Sequence, residues 1–177
     1  RNMVLAALFA ALTAIGAFLQ IPTGTVPITL QFLFTALAGL LLGWKWGAIS
    51  QLLYVGIGLL GLPVFTQGGG IGYVLQPSFG FLLGLIPAAA VIGALTARRT
   101  GYLTVLAAVL VGDLILYAVG VPYMYLILHV YMQSAKTFPA LLAAMLVYVP
   151  GDTLKIVVVT ALVPVLRRTL AKAVPNL

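Results

Sequence analysis

The chain has 177 residues, of which 63% are hydrophobic and only 6% charged, against roughly 25% charged in a soluble globular domain. That composition excludes water as the solvent for most of the surface, and the absence of cysteine excludes disulfides, thiolate metal sites and cysteine nucleophiles together. The net charge of +7 would point to nucleic acid in a soluble protein, but here the basic residues fall in gaps between apolar runs, as membrane orientation signals do, so the partner they imply is a lipid bilayer and not a nucleic acid. The first apolar run, Met3 to Ile21, is longer than a signal-peptide core and lacks a small-x-small cleavage site, so it counts as a first span. Cutting the remainder at charges and at Gly/Pro clusters gives further spans at about 28 to 43, 46 to 62, 78 to 96 and 102 to 120, with a last one ending near Arg167. Each approaches the roughly 20 apolar residues that a spanning helix needs. Pro122, Pro139 and Pro150 divide residues 121–150 into short apolar pieces, either interfacial helices or the kinked upper half of the last span.

The expected fold is therefore an all-α integral membrane protein, a bundle of six transmembrane helices in a single domain over residues 1–177 with no room for a separate soluble domain. Six spans place Arg1, Lys45, Arg98, Arg99, Arg167, Arg168 and Lys172 on one face, with Lys136 on the other and Lys155 inside a span. Since positive charge collects in cytoplasmic loops, both termini are expected in the cytoplasm. The turns on that face are tight, at Gly43 to Trp46 and Ala97 to Gly101. Those on the outer face are long and rich in Gly, Pro and Thr: Pro22 to Thr29, Gly61 to Pro77 and Gly120 to Pro139. Irregular backbone near a membrane persists where it is buried in protein or lines an aqueous cavity, so a ligand is expected on the outer side.

Ionisable residues inside a span are costly unless paired or facing a cavity, which singles out Asp113, Asp152 and Lys155. Asp152 and Lys155 stand three apart on the last helix and share a face where they can neutralise one another. Counting down to Arg167 at roughly 1.5 Å per residue puts Lys155 on the order of 18 Å above the inner surface, in the outer half of a core roughly 30 Å thick. Asp113 precedes Tyr117 by four residues, so the two share a face that borders either a neighbouring helix or a pocket. Gln51 and Tyr54 share a face of the third span, and the loop after it carries Gly68-Gly69-Gly70-Ile71-Gly72-Tyr73 and then Gln76. Such glycines let backbone approach a ligand closely, and amide and phenol groups supply directional donors and acceptors in an apolar wall. The lone His129 cannot build a multi-histidine metal site, no phosphate-binding Gly-x4-Gly-Lys-Ser/Thr loop occurs, and neither a metal nor an organic cofactor is expected. Ala6, Ala10 and Ala14 repeat at spacing four on the first span, a small-residue face for close packing in lipid against another helix of this chain or another protein.

Several separated blocks together resemble the BioY family, the biotin-specific substrate-binding (S) components of energy-coupling factor (ECF) transporters. They are Val26-Pro27-Ile28-Thr29-Leu30-Gln31, Ala38 to Gly43 running into Trp46-Gly47-Ala48, Gly61 to Phe65 with the glycine run, Gly112-Asp113, and Pro150-Gly151-Asp152 with Lys155. The resemblance implies a non-enzymatic subunit in the plasma membrane of a prokaryote that captures biotin from outside. It implies a complex with a transmembrane coupling protein and two cytoplasmic ATPases, and contact between the alanine face of the first span and the coupling protein. Asp152 would then accept from the ureido ring, and Lys155 would pair with Asp152 or reach a ligand oxygen. Two alternatives are an S component for another vitamin and an intramembrane aspartyl protease using Asp113 and Asp152. Lys155 argues against the protease, because a nearby cation holds Asp152 ionised whereas such a dyad shares one proton.

Overall fold

A computed structural model of the chain describes residues 1–23, 26–99 and 101–173, with side chains through residue 167. Gly24 and Thr25 of the first outer loop, Thr100, and the side chains of Arg168 and Lys172 lie outside the described residues. The described elements are α1 (Asn2–Phe18), β1 (Gln20–Ile21), β2 (Ile28–Thr29), α2 (Gln31–Leu59), a 3-10 helix (Ile71–Leu75), α3 (Phe79–Leu95), α4 (Tyr102–Leu126), α5 (Phe138–Met145) and α6 (Val149–Ala173). By length and composition three stretches are apolar enough to cross a membrane, Tyr102–Tyr131, Val149–Arg167 and Gln31–Leu59, the last of them interrupted at Gly43, and Asn2–Phe18 and Phe79–Leu95 are shorter apolar helices. Large apolar side chains stand exposed along the helices, among them Leu103, Leu114, Leu154 and Val157, a surface whose natural solvent is lipid.

The long α2 is a hairpin. Gly43 has φ 79° and ψ 177°, a backbone conformation open to glycine because it lacks a Cβ. Beyond it the chain doubles back: Thr35 Oγ1 lies 2.9 Å from Gln51 Oε1, a pair that a straight helix would separate by about 24 Å. The arms approach so closely that a Cβ on Gly47 would sit 2.8 Å from the Gly39 Cα. This is small-residue packing that lets backbones meet where lipid supplies no hydrophobic drive. The charge and glycine at positions 43 to 45 therefore mark a real turn, as the sequence predicts.

Elsewhere the boundaries differ from expectation, and proline is the main reason. α4 does not end near residue 120 but passes Pro122 and continues through a π-helical turn, Ile127–Tyr131. A proline inside a helix removes one backbone bond, and helices packed among neighbours tolerate that loss. Pro139 and Pro150, by contrast, stand in the first turns of α5 and α6, where no intrahelical donor is required. The expected second span starts later, at Gln31, because Ile28–Thr29 pairs antiparallel with Gln20–Ile21, in register Gln20 with Thr29.

The bundle has two poles. At one end lie the Gly43 turn, the last turns of α3, whose Gly93 packs on the Trp44 backbone, and Arg167, which donates to the Leu40 carbonyl from α6. At the other end the β1–β2 hairpin, the start of α2, the upper part of α4, α5 and the start of α6 converge. A satellite cluster of Val26, Val121, Met124, Leu128, Leu141 and Met145 holds that end together.

Candidate functional site

The first turns of α6 place Asp152 and Lys155 at this second pole. Lys155 Nζ donates to Asp152 Oδ1 at 2.6 Å, and the Tyr117 hydroxyl of α4 donates to Asp152 Oδ2. Both charged residues are buried, at 6% and 8% exposure, so the carboxylate is neutralised by one cation and held by a second donor. Lys155 keeps two further N–H groups with no protein acceptor among the described residues. A buried pair with unused donors is suited to receive a polar ligand group without a fresh desolvation cost.

These side chains line a pocket whose apolar wall is Phe32, Phe81, Leu82, Leu85, Leu116 and Met145. A second polar group faces into it from the loop after α2, where the Tyr73 hydroxyl pairs with Thr66 at 2.9 Å and lies 3.5 Å from Ser78. Tyr73 is 5% exposed and is fixed by the Phe65 ring, 4.6 Å away centroid to centroid. Phe65 in turn occupies the space a side chain at Gly58 would need. Tyr148, Thr29 and Gln31 complete the polar lining, and Tyr148 hydrogen-bonds the Val26 carbonyl and contacts the Thr23 hydroxyl, tying the turn before α6 to the hairpin loop.

Of the residues singled out from sequence, Asp152, Lys155, Tyr117 and Tyr73 line this pocket. Gln51, Tyr54, Gln76 and Asp113 do not. Gln51 and Tyr54 belong to hydrogen bonds inside the bundle: Gln51 with Thr35, Thr13 and Ser50, Tyr54 with Gln31 and the Val64 carbonyl. Gln76 is exposed at the end of the 3-10 helix. Asp113 is half-buried on α4, with Oδ1 shielded from solvent and without a hydrogen-bond partner. The glycines of residues 68–72 shape the loop and do not line the pocket; Gly68 and Gly70 have φ of 110° and 99°, and the Gly70 N–H donates to the Gly58 carbonyl at 2.7 Å. On α1 the expected partner face is turned inward: Ala6 and Ala10 are buried and Ala14 is half-buried, whereas Ala7 and Ala11 are exposed. The pocket is also lined by Thr66, Ser78 and Tyr148, and by Thr29 and Gln31 of the Val26–Gln31 block, none of which the sequence marks as a site residue. Their signal was position in the long outer loops and at helix starts, not residue type.

A model of the BioY family matches residues 1–172 of the chain. A probable biotin transporter BioY from Lysinibacillus sphaericus is 54% identical over 139 residues, covering 77% of this chain and 71% of that protein. The biotin transporter BioY of Thermotoga maritima is 36% identical over 159 residues, covering 89% and 90%. A crystal structure of the S-component for biotin from an ECF-type ABC transporter superposes with a TM-score of 0.83 at 30% identity, covering 94% of this chain and 90% of that one.

Proposed function

The chain belongs to the BioY family, and from that membership we propose that it captures biotin as the membrane-embedded substrate-binding subunit of an ECF-type importer. The observation that carries the reading is the buried Asp152–Lys155 pair with Tyr117, lining a pocket at one pole of an apolar bundle. Biotin presents ureido N–H donors, a ureido carbonyl, an apolar bicycle and a carboxylate. Asp152 is the acceptor for ureido N–H, the unused Lys155 donors serve a ligand oxygen, Tyr117 orients the carboxylate of Asp152, and Tyr73 closes the opposite wall. Asp113 stands behind these groups with an unmatched oxygen. No catalysis and no cofactor are part of the reading; biotin is cargo.

The topology proposed is six spans in one domain: α1, the two arms of α2, α3, α4 and α6, with both ends of this chain in the cytoplasm of a prokaryote. It is supported by the Gly43 hairpin and by Arg1, Lys45, Arg98 and Arg99, which the positive-inside tendency assigns to one side. The chain has no cysteine, so single replacements report sidedness directly. In intact cells a membrane-impermeant maleimide should label Lys136→Cys and spare Lys45→Cys; the reverse pattern overturns the orientation. Energy would come from a transmembrane coupling protein with two cytoplasmic ATPases. The face of α1 offered to that partner is the one carrying the exposed Ala7 and Ala11, in place of Ala6, Ala10 and Ala14.

Isothermal titration of the purified protein with biotin tests the function. Saturable binding at micromolar protein supports it, and its absence sinks it. A panel of competing vitamins separates biotin from another vitamin as the cargo.

A further inference from the structure

Gln31 is a buried pocket residue whose hydrogen bonds are incomplete. It stands at the first position of α2, is 7% exposed, and borders the pocket. Its neighbours fix which way the amide faces. Nε2 lies 2.7 Å from the Tyr54 hydroxyl, and that hydroxyl donates its one proton to the Val64 carbonyl at 3.0 Å. A hydroxyl so engaged can only accept, so the group facing it must be the NH₂. On the other side Thr29 receives the Gln31 backbone N–H at 3.4 Å and donates its hydroxyl proton to Gln31 Oε1 at 2.8 Å. Turning the amide over would set its oxygen against a hydroxyl with no proton to offer. An amide carries two N–H groups. One goes to Tyr54, and the other has no acceptor among the described residues, an unfavourable state for a buried donor.

The contrast with Gln51 is informative, because that glutamine gives Nε2 to both Thr13, at 3.2 Å, and Ser50, at 3.0 Å. Gln51 is complete and lies off the pocket; Gln31 is incomplete and lies on it. We propose that the second Nε2–H of Gln31 donates to an oxygen of the bound ligand, and that Thr29 and Tyr54 are positioning residues that hold this amide in its donating orientation. A neutral donor of fixed direction favours ligands that present an oxygen acceptor at that point, and it adds a contact separate from the Asp152–Lys155 pair. This inference deepens the biotin reading and rests on it.

Two measurements test it. Calorimetry with biotin should give Gln31→Met a dissociation constant at least tenfold weaker than wild type, and Tyr54→Phe a smaller loss, with Gln31→Glu as weak as Gln31→Met. The second measurement needs no substitution and so is independent of whether these variants fold. Wild-type protein with ¹⁵N in its glutamine side chains is loaded with biotin carrying ¹³C at the ureido carbonyl or at the carboxylate and examined by solid-state NMR. One of the two carbons should lie within about 4 Å of a glutamine side-chain nitrogen, as a hydrogen bond through the attached oxygen requires. Which carbon responds identifies the oxygen. Unchanged affinity in Gln31→Met, or no contact to either carbon, overturns the inference while leaving the biotin reading intact. Failure of wild type to bind biotin removes both.

Discussion

Two of the buried polar networks among the described residues differ in being finished or unfinished. The inner one joins Thr13 of α1 to Ser50, Gln51 and Thr35 of the α2 hairpin, all at 0% exposure, and every one of these side chains has protein partners. The outer one joins Asp152, Lys155 and Tyr117, carries charge, and keeps Lys155 donors in reserve beside a pocket. In lipid, uncharged hydrogen bonds between helices act as glue, whereas a charge in a span is costly enough to be kept only for a purpose. Burial of polar groups therefore does not mark a binding site in such a protein. Unused donors and acceptors beside open volume do.

The contrast is most exposed to Lys155→Met. Removing the ammonium takes its spare donors away from the ligand and leaves Asp152 to meet it without a cation. Truncating one partner of a buried, hydrogen-bonded charge pair at a binding surface costs about 2–5 kcal/mol, roughly thirtyfold or more in biotin affinity at about 1.4 kcal/mol per factor of ten. Titration calorimetry measures it, and a loss under tenfold would place the pair among the structural contacts. Tyr117→Phe comes next. It removes one donor to a charged acceptor whose Lys155 bond survives, a contribution of about 1.5 kcal/mol at the lower end for such bonds, so affinity should drop roughly tenfold; an unchanged affinity would mean that Tyr117 only packs. Gln51→Leu should show the opposite signature. Thermal unfolding in detergent should register a destabilisation of about 1–3 kcal/mol from the donors and acceptors left unmatched, with biotin affinity within about twofold of wild type. If affinity falls and stability holds, the inner network belongs to the site after all.

The sequence made some of this legible for definite physical reasons. Glycine beside a charge at Gly43 and Lys45 breaks an apolar run, and the chain does turn there. Asp152 and Lys155 were conspicuous because charge inside a span has few explanations. Gln51 and Tyr54 stand off the pocket, which the sequence does not reveal because polarity within a span looks alike whether it is matched or unmatched. Their partners, Thr35 and Gln31, lie on the opposite arm of the hairpin, and only folding brings them together. The structure buries Ala6 and Ala10 and exposes Ala7 and Ala11; Ala6 and Ala7 are adjacent in sequence but about 100° apart around the helix, so a spacing of four identifies a stripe without saying which stripe faces inward. Pro122 failed because a proline signals an end in water more strongly than in a packed bundle, while Pro139 and Pro150 in fact open helices.

The smallest expected effect is also the most direct check on reading sites from sequence neighbours. Tyr73 and Gln76 stand three residues apart in the same loop block, and sequence alone gives them equal standing. The 3-10 helix separates them: Tyr73 turns inward against Phe65 and lines the pocket, whereas Gln76 is exposed and off it. What Gln76 contributes to the fold is backbone, since its N–H donates to the Tyr73 carbonyl and its own carbonyl receives the Phe79 N–H, both at 3.0 Å. Alanine preserves both bonds. Gln76→Ala should therefore change stability by no more than about 0.5 kcal/mol and leave biotin affinity unaltered, as measured by thermal unfolding and calorimetry on the same preparation. A tenfold loss of affinity there would mean that the loop closes over the ligand and brings Gln76 with it, and the boundary drawn between finished and unfinished polar groups would have to be redrawn for the bound state.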